Sequence, residues 1–535
     1  MRIPRVLIAG THSGAGKTSV SAALMAAYTA LGYDLRPFKA GPDYIDPAFH
    51  SFITGRPSHN LDAWLLPEDA VHTIFRQATV KDALSMQTAP LFDNASACRQ
   101  TQKHGGPLLA IIEGVMGLFD GQGDGPEGSS AQIAQMLQAP VILVLDAKGI
   151  SRSAAALVQG YNNFMPGLRL AGVICNRVSG AKHYELLRDI VEGQAGVTCF
   201  GYLPANPAFS LKSRHLGLVP AEEVADLRER VDNLGRAARE HIDLERLFAL
   251  AETAKALPCS GRIRKIPANL PPERASGTIS TAHNTKNTPA PIRIGLARDS
   301  AFSFYYQANL DLLETLGVQL VPFSPLGDAA LLKGLHGLYL GGGFPEQFAA
   351  ELAANTGMRA SIREALDNGL PCYAECGGLL YLTQYLQIPA ASAPQETETN
   401  PEKMTANRNG ASYPMAGFFP CRAVMETRLQ HFGYVSVTLE KDCPLGRAGT
   451  SFRAHEFHYS RLDWENEKRS EALHPVYNAR KADGRSWSGG ILKNNTLGVY
   501  PHLHFYACPD AAAYFVALCR AHAAAAASGG NGASS

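Results

Sequence analysis

Residues 5–19 read RVLIAGTHSGAGKTS: an apolar run, a glycine-rich turn and a Lys-Thr pair that opens a helix-compatible stretch. The run is apolar throughout, as a strand buried on both faces must be. A strand that feeds a helix through so short a turn belongs to a parallel sheet with helices packed across its faces. The turn also has a chemistry. Its glycines, Gly14 and Gly16 among them, let backbone N–H groups converge on phosphate oxygens, and the helix N-terminus adds positive potential. Lys17 places a charge on the outer phosphates, and the Thr18 hydroxyl can complete a magnesium shell. The strict phosphate-loop pattern asks for glycine five residues before Gly16, where this chain has Thr11.

The same alternation continues down the first half. Apolar runs at 108–112, 140–145 and 170–175 alternate with helix-period stretches such as 18–31 and 129–138, which predicts a doubly wound, mostly parallel α/β sheet over residues 1–256. Residues 257–291 are rich in Pro, Ser, Thr, Asn and basic residues with no apolar period, and read as an interdomain linker. A second α/β pattern restarts at 292–297, with strand candidates at 318–322, 337–341 and 371–374, and runs to 520. Residues 388–411 read as a surface insertion and 521–535 as a disordered, low-complexity tail.

With 535 residues, two to four domains are expected. Lys+Arg 49 against Asp+Glu 48 leaves the chain almost uncharged, so nothing in its overall balance favours nucleic acid or an anionic membrane. Any anionic ligand must be held locally. The ten cysteines are scattered, with no second pair at zinc-site spacing beside Cys372 and Cys376. The amino terminus enters a strand without a signal-like apolar stretch, and no window of about 18 apolar residues suggests a membrane span. A cytoplasmic protein in a reducing compartment is expected.

Acidic residues fall where such a sheet binds ligands. Glu113 follows LLAII at a strand's carboxyl end, and Asp120 lies further along the same loop. Residues 37–50, PFKAGPDYIDPAFH, set Asp43 and Asp46 in a Pro/Gly-interrupted loop between Lys39 and His50; turn chemistry alone also favours Asp beside Pro. In the second half, PCYAECGGLLYL puts Cys376 between an apolar strand and a helix-compatible run. That is the sharp elbow that exposes a nucleophile, with the helix N-terminus and a neighbouring imidazole favouring the thiolate. Buried cysteines are more often small core residues, and Cys372, inside the strand, is read that way. GGGFPE at 341–346 offers oxyanion-hole amides, Gly343 among them, with the amide of Gly377 as the second donor.

The spacing of the phosphate loop resembles that of dethiobiotin synthetase and its relatives, which use ATP to activate a carboxylate. PFKAGPDYIDPAFH, NLDAW (60–64), EGVMGLFDG (113–121) and SRHLGLVP (213–220) resemble the cobyrinic acid a,c-diamide synthase family and its sibling acting on hydrogenobyrinic acid. The likeness continues in RDSAFSFYYQANLDLLE (298–314), YLGGGFPE (339–346), AECGGLLYL (374–382) and AHEFHYS (454–460). It implies a P-loop NTPase-like domain joined to a class I glutamine amidotransferase-like domain. The reaction it implies is stepwise phosphorylation of the a- and c-acetate carboxylates of cobyrinic acid by ATP, with Mg2+. Ammonia from L-glutamine then displaces the phosphate, in cobalamin biosynthesis. Gly14, Gly16, Lys17 and Thr18 match the nucleotide loop, and Glu113 the metal-binding acid. Asp43, Asp46 and Asp120 lie in strings tied to metal or substrate carboxylates, Asp43 taken as a metal ligand and the other two as substrate contacts. Asn176 in GVICNRV is either an adenine contact or a structural cap. His502 in YPHLHF matches the catalytic base; related class I amidotransferases carry Glu two residues later, where this chain has His504, so the third member is absent or comes from elsewhere. Two other readings stay open: the same chemistry on another tetrapyrrole, and a P-loop switch ATPase fused to an inactive amidotransferase fold. A homodimer is one assembly open to such a chain.

Overall fold

The computed structural model describes residues 2–80, 105–209, 221–257, 291–389, 410–464 and 475–530. The SRHLGLVP string, all but the ends of the linker and most of the 388–411 segment lie outside these residues. Packing divides the described residues into two compact units, one within residues 1–264 and one from 265 onward.

The first unit is built on seven strands, β1 (Arg5–Gly10), β2 (Asp34–Ala40), β3 (His59–Leu61), β4 (Leu108–Glu113), β5 (Val141–Asp146), β6 (Leu170–Val178) and β7 (Cys199–Pro204). They form one sheet in the order β3-β2-β4-β1-β5-β6-β7, and every pairing is parallel. β1 sits at the centre with every residue buried. That accounts for its lack of alternation: both faces are covered by helices, α1 (Lys17–Ala30) among them. Three neighbouring strands, β2, β4 and β1, therefore end side by side, and the residues that follow them share one rim.

The second unit centres on a six-stranded sheet. Its first strands are β8 (Ile292–Ala297), β10 (Val318–Phe323), β11 (Gly337–Leu340) and β13 (Cys372–Glu375); β9 (Phe302–Phe304) and β12 (Gly342–Gly343) form a small antiparallel pair beside it. The order runs β10-β8-β11-β13, then Thr496–Val499 and Ile491–Lys493. Fully buried Leu338, Leu340, Cys372, Ala374, Leu379 and Leu382 pack into one core around the β13 turn. Each such leucine contributes roughly 1.5–3 kcal/mol by leaving water, which fixes the turn's position.

Two features depart from the sequence reading. Between 383 and 503 the α/β pattern gives way to two further sheets, one of four strands and one of five. The five-stranded sheet is antiparallel and places His502 opposite His455. The reading of 521–535 as a disordered tail also fails for its first part, because helix Pro509–Gly530 runs through it. The reason is local: the run Ala523–Ala527 has the highest helix propensity of any residue type and extends a helix already anchored by buried Phe515 and Cys519.

Candidate active sites

In the first unit the register of the sheet builds a charged cluster. Lys39 at the end of β2 lies opposite Glu113 at the end of β4, and Ile8 of β1 flanks Glu113 on the other side. The Glu113 carboxylate is fully buried. Its Oε1 accepts from the Thr18 hydroxyl at 2.7 Å and from Lys39 Nζ at 3.0 Å, and its Oε2 meets His50 Nε2 at 2.7 Å. Lys39 Nζ also reaches Asp46 Oδ2 at 2.5 Å and the Gly114 carbonyl at 3.1 Å. Burial opposes the charge on Glu113, but Lys39, His50 and Thr18 outweigh it and hold the carboxyl below its ordinary range. Burial likewise opposes the Lys39 ammonium, and Glu113 and Asp46 overcome it. Asp46 goes the other way, pushed up to about 8 by burial and by the charge of Glu113, against the pull of Lys39. One lysine shared by two carboxylates leaves one of them poorly compensated.

The remaining sequence candidates gather around this cluster in different roles. Lys17 is buried, and desolvation together with the nearby Lys39 ammonium lowers its pKa. Asp43 spends Oδ1 on the amides of Ile45 (2.7 Å) and Asp46 (3.4 Å), closing the turn into helix α2 (Ile45–Thr54). Asp120 Oδ2 accepts from the Gly117 amide at 2.9 Å, and its charge reaches Lys17. Asn176 donates from Nδ2 to the Ala15 carbonyl at 3.0 Å, so its amide braces the phosphate loop from β6. Next to it, Arg177 donates to the Gly14 carbonyl at 2.8 Å and pairs with Asp146 at 2.6 Å. Gly16 has φ +99°, and a β-carbon there would lie 1.8 Å from Asn176 Nδ2, so this glycine is required both by conformation and by the close brace. Lys39 and His50 were visible in the sequence only as neighbours of the two aspartates. Their signal is the strand register, which sets Lys39 beside Glu113.

In the second unit Cys376 stands at the elbow between β13 and helix Gly377–Leu382 with φ 44° and ψ −100°. A non-glycine residue held in this region is strained and is kept there by its surroundings. Its amide donates to the Val499 carbonyl at 2.7 Å, and the Gly378 amide donates to Gly341 at 3.0 Å. The Sγ lies 3.9 Å from the Phe457 carbonyl. Gly343 and Gly377 do converge: a β-carbon on Gly377 would lie 2.9 Å from the Gly343 nitrogen. A β-carbon on Gly342 would lie 2.6 Å from His502 Cε1, so the glycine run also makes room for the imidazole. Cys372 is wholly buried, and burial pushes its thiol up, as suits a core residue. His504 accepts from the Tyr506 amide at 3.3 Å, capping the turn at Phe505–Ala507. In AHEFHYS, Glu456 and His458 are paired at 2.9 Å, and His458 stacks on Tyr500 with ring centroids 3.7 Å apart. Among the described residues no group of three or more His, Cys, Asp or Glu is placed to hold a metal.

His502 is buried, with Nδ1 3.7 Å from Glu375 Oε2. Burial opposes its positive form, yet Cys376 and Glu375 outweigh that and raise its pKa to about 10. An imidazole whose folded pKa exceeds its ordinary 6.5 stabilises the fold fully below pH 6.5, and that contribution is lost as pH rises through about 10. The urea midpoint of the native chain should therefore exceed that of His502→Gln most at pH 6, with the gap closing toward pH 10. A gap that does not change with pH would contradict the pairing.

A phosphate-loop unit and a thiol-elbow unit in one chain define a nucleotide-dependent glutamine amidotransferase. Residues 6–219 match the model of the CobQ/CobB/MinD/ParA nucleotide binding domain, and residues 293–509 that of the CobB/CobQ-like glutamine amidotransferase domain. The cobyrinate a,c-diamide synthase of Streptococcus sanguinis is 38% identical over 94% of this chain and 95% of its own. That of Listeria monocytogenes serotype 4b is 40% identical over 94% and 96%, and that of Methanosarcina acetivorans 39% over 94% and 92%. The chain belongs to the cobyrinate a,c-diamide synthase family.

Proposed function

We propose that this chain amidates the a- and c-acetate carboxylates of cobyrinic acid, using ATP and ammonia taken from L-glutamine. The observation that carries the reading is the pairing of two built sites in one chain that matches these synthases over nearly its whole length. A carboxylate is a poor electrophile because its charge repels nucleophiles. Its oxygen attacks the γ-phosphorus of ATP, ADP departs, and the acyl phosphate gains a leaving group. Ammonia then attacks the acyl carbon and inorganic phosphate leaves. The first step brings two anions together, so positive charge must be waiting. Lys17 supplies it from the phosphate loop. The Thr18 hydroxyl and Glu113 carboxylate, 2.7 Å apart, form an all-oxygen pair suited to Mg2+, which when bound neutralises phosphate charge. Asp46, poorly compensated beside Glu113, and Asp120 are taken as the substrate contacts.

In the second unit Cys376 would attack the glutamine carboxamide, with the amides of Gly343 and Gly377 receiving the oxyanion and His502 carrying the proton. The described cysteines are all free, in keeping with a reducing cytoplasm. No described helix is long and apolar enough to cross a membrane. Cys376→Ser is expected to lower glutamine-dependent amide formation by roughly 10³-fold or more, with ammonia restoring it to near the native rate. Mass spectrometry of products from ATP, glutamine and cobyrinic acid should show two amides added per ring. Undiminished glutamine use by the serine variant, or no amide on the ring, would refute the reading.

A further inference from the structure

The class I amidotransferases that the sequence resembles place a carboxylate two residues after the catalytic histidine, and here that position is His504, whose ring nitrogen is committed to capping a turn. We infer that Glu375, the residue immediately before the nucleophile, is the carboxylate that orients His502. This rests on the reading of Cys376 and His502 as the glutamine-hydrolysing pair.

β13 is otherwise apolar and completely buried, so a carboxylate at its end is costly unless donors surround it. Donors do surround it. Oε1 accepts from the Tyr373 hydroxyl at 2.5 Å and from the Leu503 amide at 3.3 Å; Oε2 accepts from the Tyr339 hydroxyl at 3.1 Å. The same Oε2 lies 3.7 Å from His502 Nδ1, inside ion-pair range and a little beyond a hydrogen bond. Catalytic hydrogen bonds are often long before substrate arrives and tighten in the complex. Two of these contacts bear on one short strand, His502–Leu503: the carboxylate holds the amide after the histidine and faces the histidine ring.

The arrangement sets which ring nitrogen faces which partner. With Nδ1–H directed at the carboxylate, Nε2 is the nitrogen turned to the Cys376 side, where the histidine also interacts with the thiol. As an imidazolium, the ring gives its Nε2 proton to the departing ammonia once sulfur has attacked the carboxamide carbon. Strand geometry explains why a neighbour of the nucleophile can do this. Successive residues of a strand point to opposite sides, and the elbow then turns Cys376 back, so Glu375 and Cys376 address the two nitrogens of one ring.

Glu375→Gln keeps the shape and an acceptor oxygen and removes the charge. It is expected to lower kcat for glutamine hydrolysis by about 10²–10⁴-fold, as in other triads that lose their orienting carboxylate. KM for glutamine should change by less than about threefold, and ammonia-dependent synthesis should be unaffected. The alkaline limb of the pH profile of kcat/KM should move to lower pH, because the imidazolium loses its partner; a purely structural strut would not move it. Glu375→Asp, which keeps the charge but draws it back by one methylene, should give an intermediate kcat at unchanged KM and serves if the glutamine variant does not fold. A Glu375→Gln enzyme within threefold of native kcat, or an aspartate variant indistinguishable from native, overturns the assignment. Cys376→Ser is run beside them. If it still hydrolyses glutamine, the reading of the Cys/His pair fails, independently of Glu375.

Discussion

Glu113→Ala should abolish amide formation from glutamine and from ammonia alike, by on the order of 10³-fold in kcat/KM, while glutamine hydrolysis stays within about tenfold of native. The expectation follows from how many groups that carboxylate anchors. Thr18, Lys39 and His50 all bond to it, and neither it nor Lys39 nor His50 has meaningful contact with water. Its removal leaves two buried nitrogen donors poorly paired, at a cost of about 3–5 kcal/mol of stability. Thermal unfolding must therefore be measured with activity. Glu113→Gln separates the two effects: it preserves shape and some hydrogen bonding, so it should melt closer to native and still be inactive with ammonia. An alanine variant that keeps its ammonia-dependent rate within tenfold would remove Glu113 from the mechanism.

Gly377→Ala should have the complementary phenotype. Its β-carbon would stand 2.9 Å from the Gly343 nitrogen and 3.1 Å from Pro345 Cδ, closer than such atoms approach without displacement. The atom forced to move is one of the two proposed oxyanion donors. Loss of one such donor costs about 10²–10³-fold in kcat. Glutamine-dependent synthesis should fall by that factor, with ammonia-dependent synthesis intact. Gly193→Ala is a suitable control, since its β-carbon meets nothing within 4 Å, its φ is not positive and it belongs to neither site. A Gly377→Ala enzyme with native glutamine kcat would place the oxyanion donors elsewhere.

What could be read from the sequence was set by whether the signal is local. The β1 turn, the strand at 108–113 and the elbow at Cys376 each announce themselves within about a dozen residues, through unbroken apolar runs and glycines that end them. Lys39 and Glu375 do not. Lys39 gains its meaning from lying opposite Glu113, 74 residues away, and Glu375 from facing His502, well over a hundred residues further on. Yet Glu375 did leave a trace, since an acid inside PCYAECGG contradicts the rest of a buried strand. The sheets between 383 and 503 were missed for another reason. Ser451–His458 alternates between exposed and buried, but two of its buried positions are Glu456 and His458, so its residues show no apolar period of two. In the alanine-rich end, low complexity and high helix propensity are the same residues, and the anchored helix Pro509–Gly530 decides between them.

The phosphate loop is held from behind by three side chains of neighbouring elements: Asn176 on Ala15, Arg177 on Gly14 and the Tyr161 hydroxyl on Thr11. Carbonyl oxygens tied back in this way fix the loop's backbone against the elements around it. Nucleotide then meets a preformed receptor and gives up little chain entropy on docking. Its association should proceed in a single fast phase, with no slow ordering step, and loosening any one tie should appear first as faster nucleotide departure.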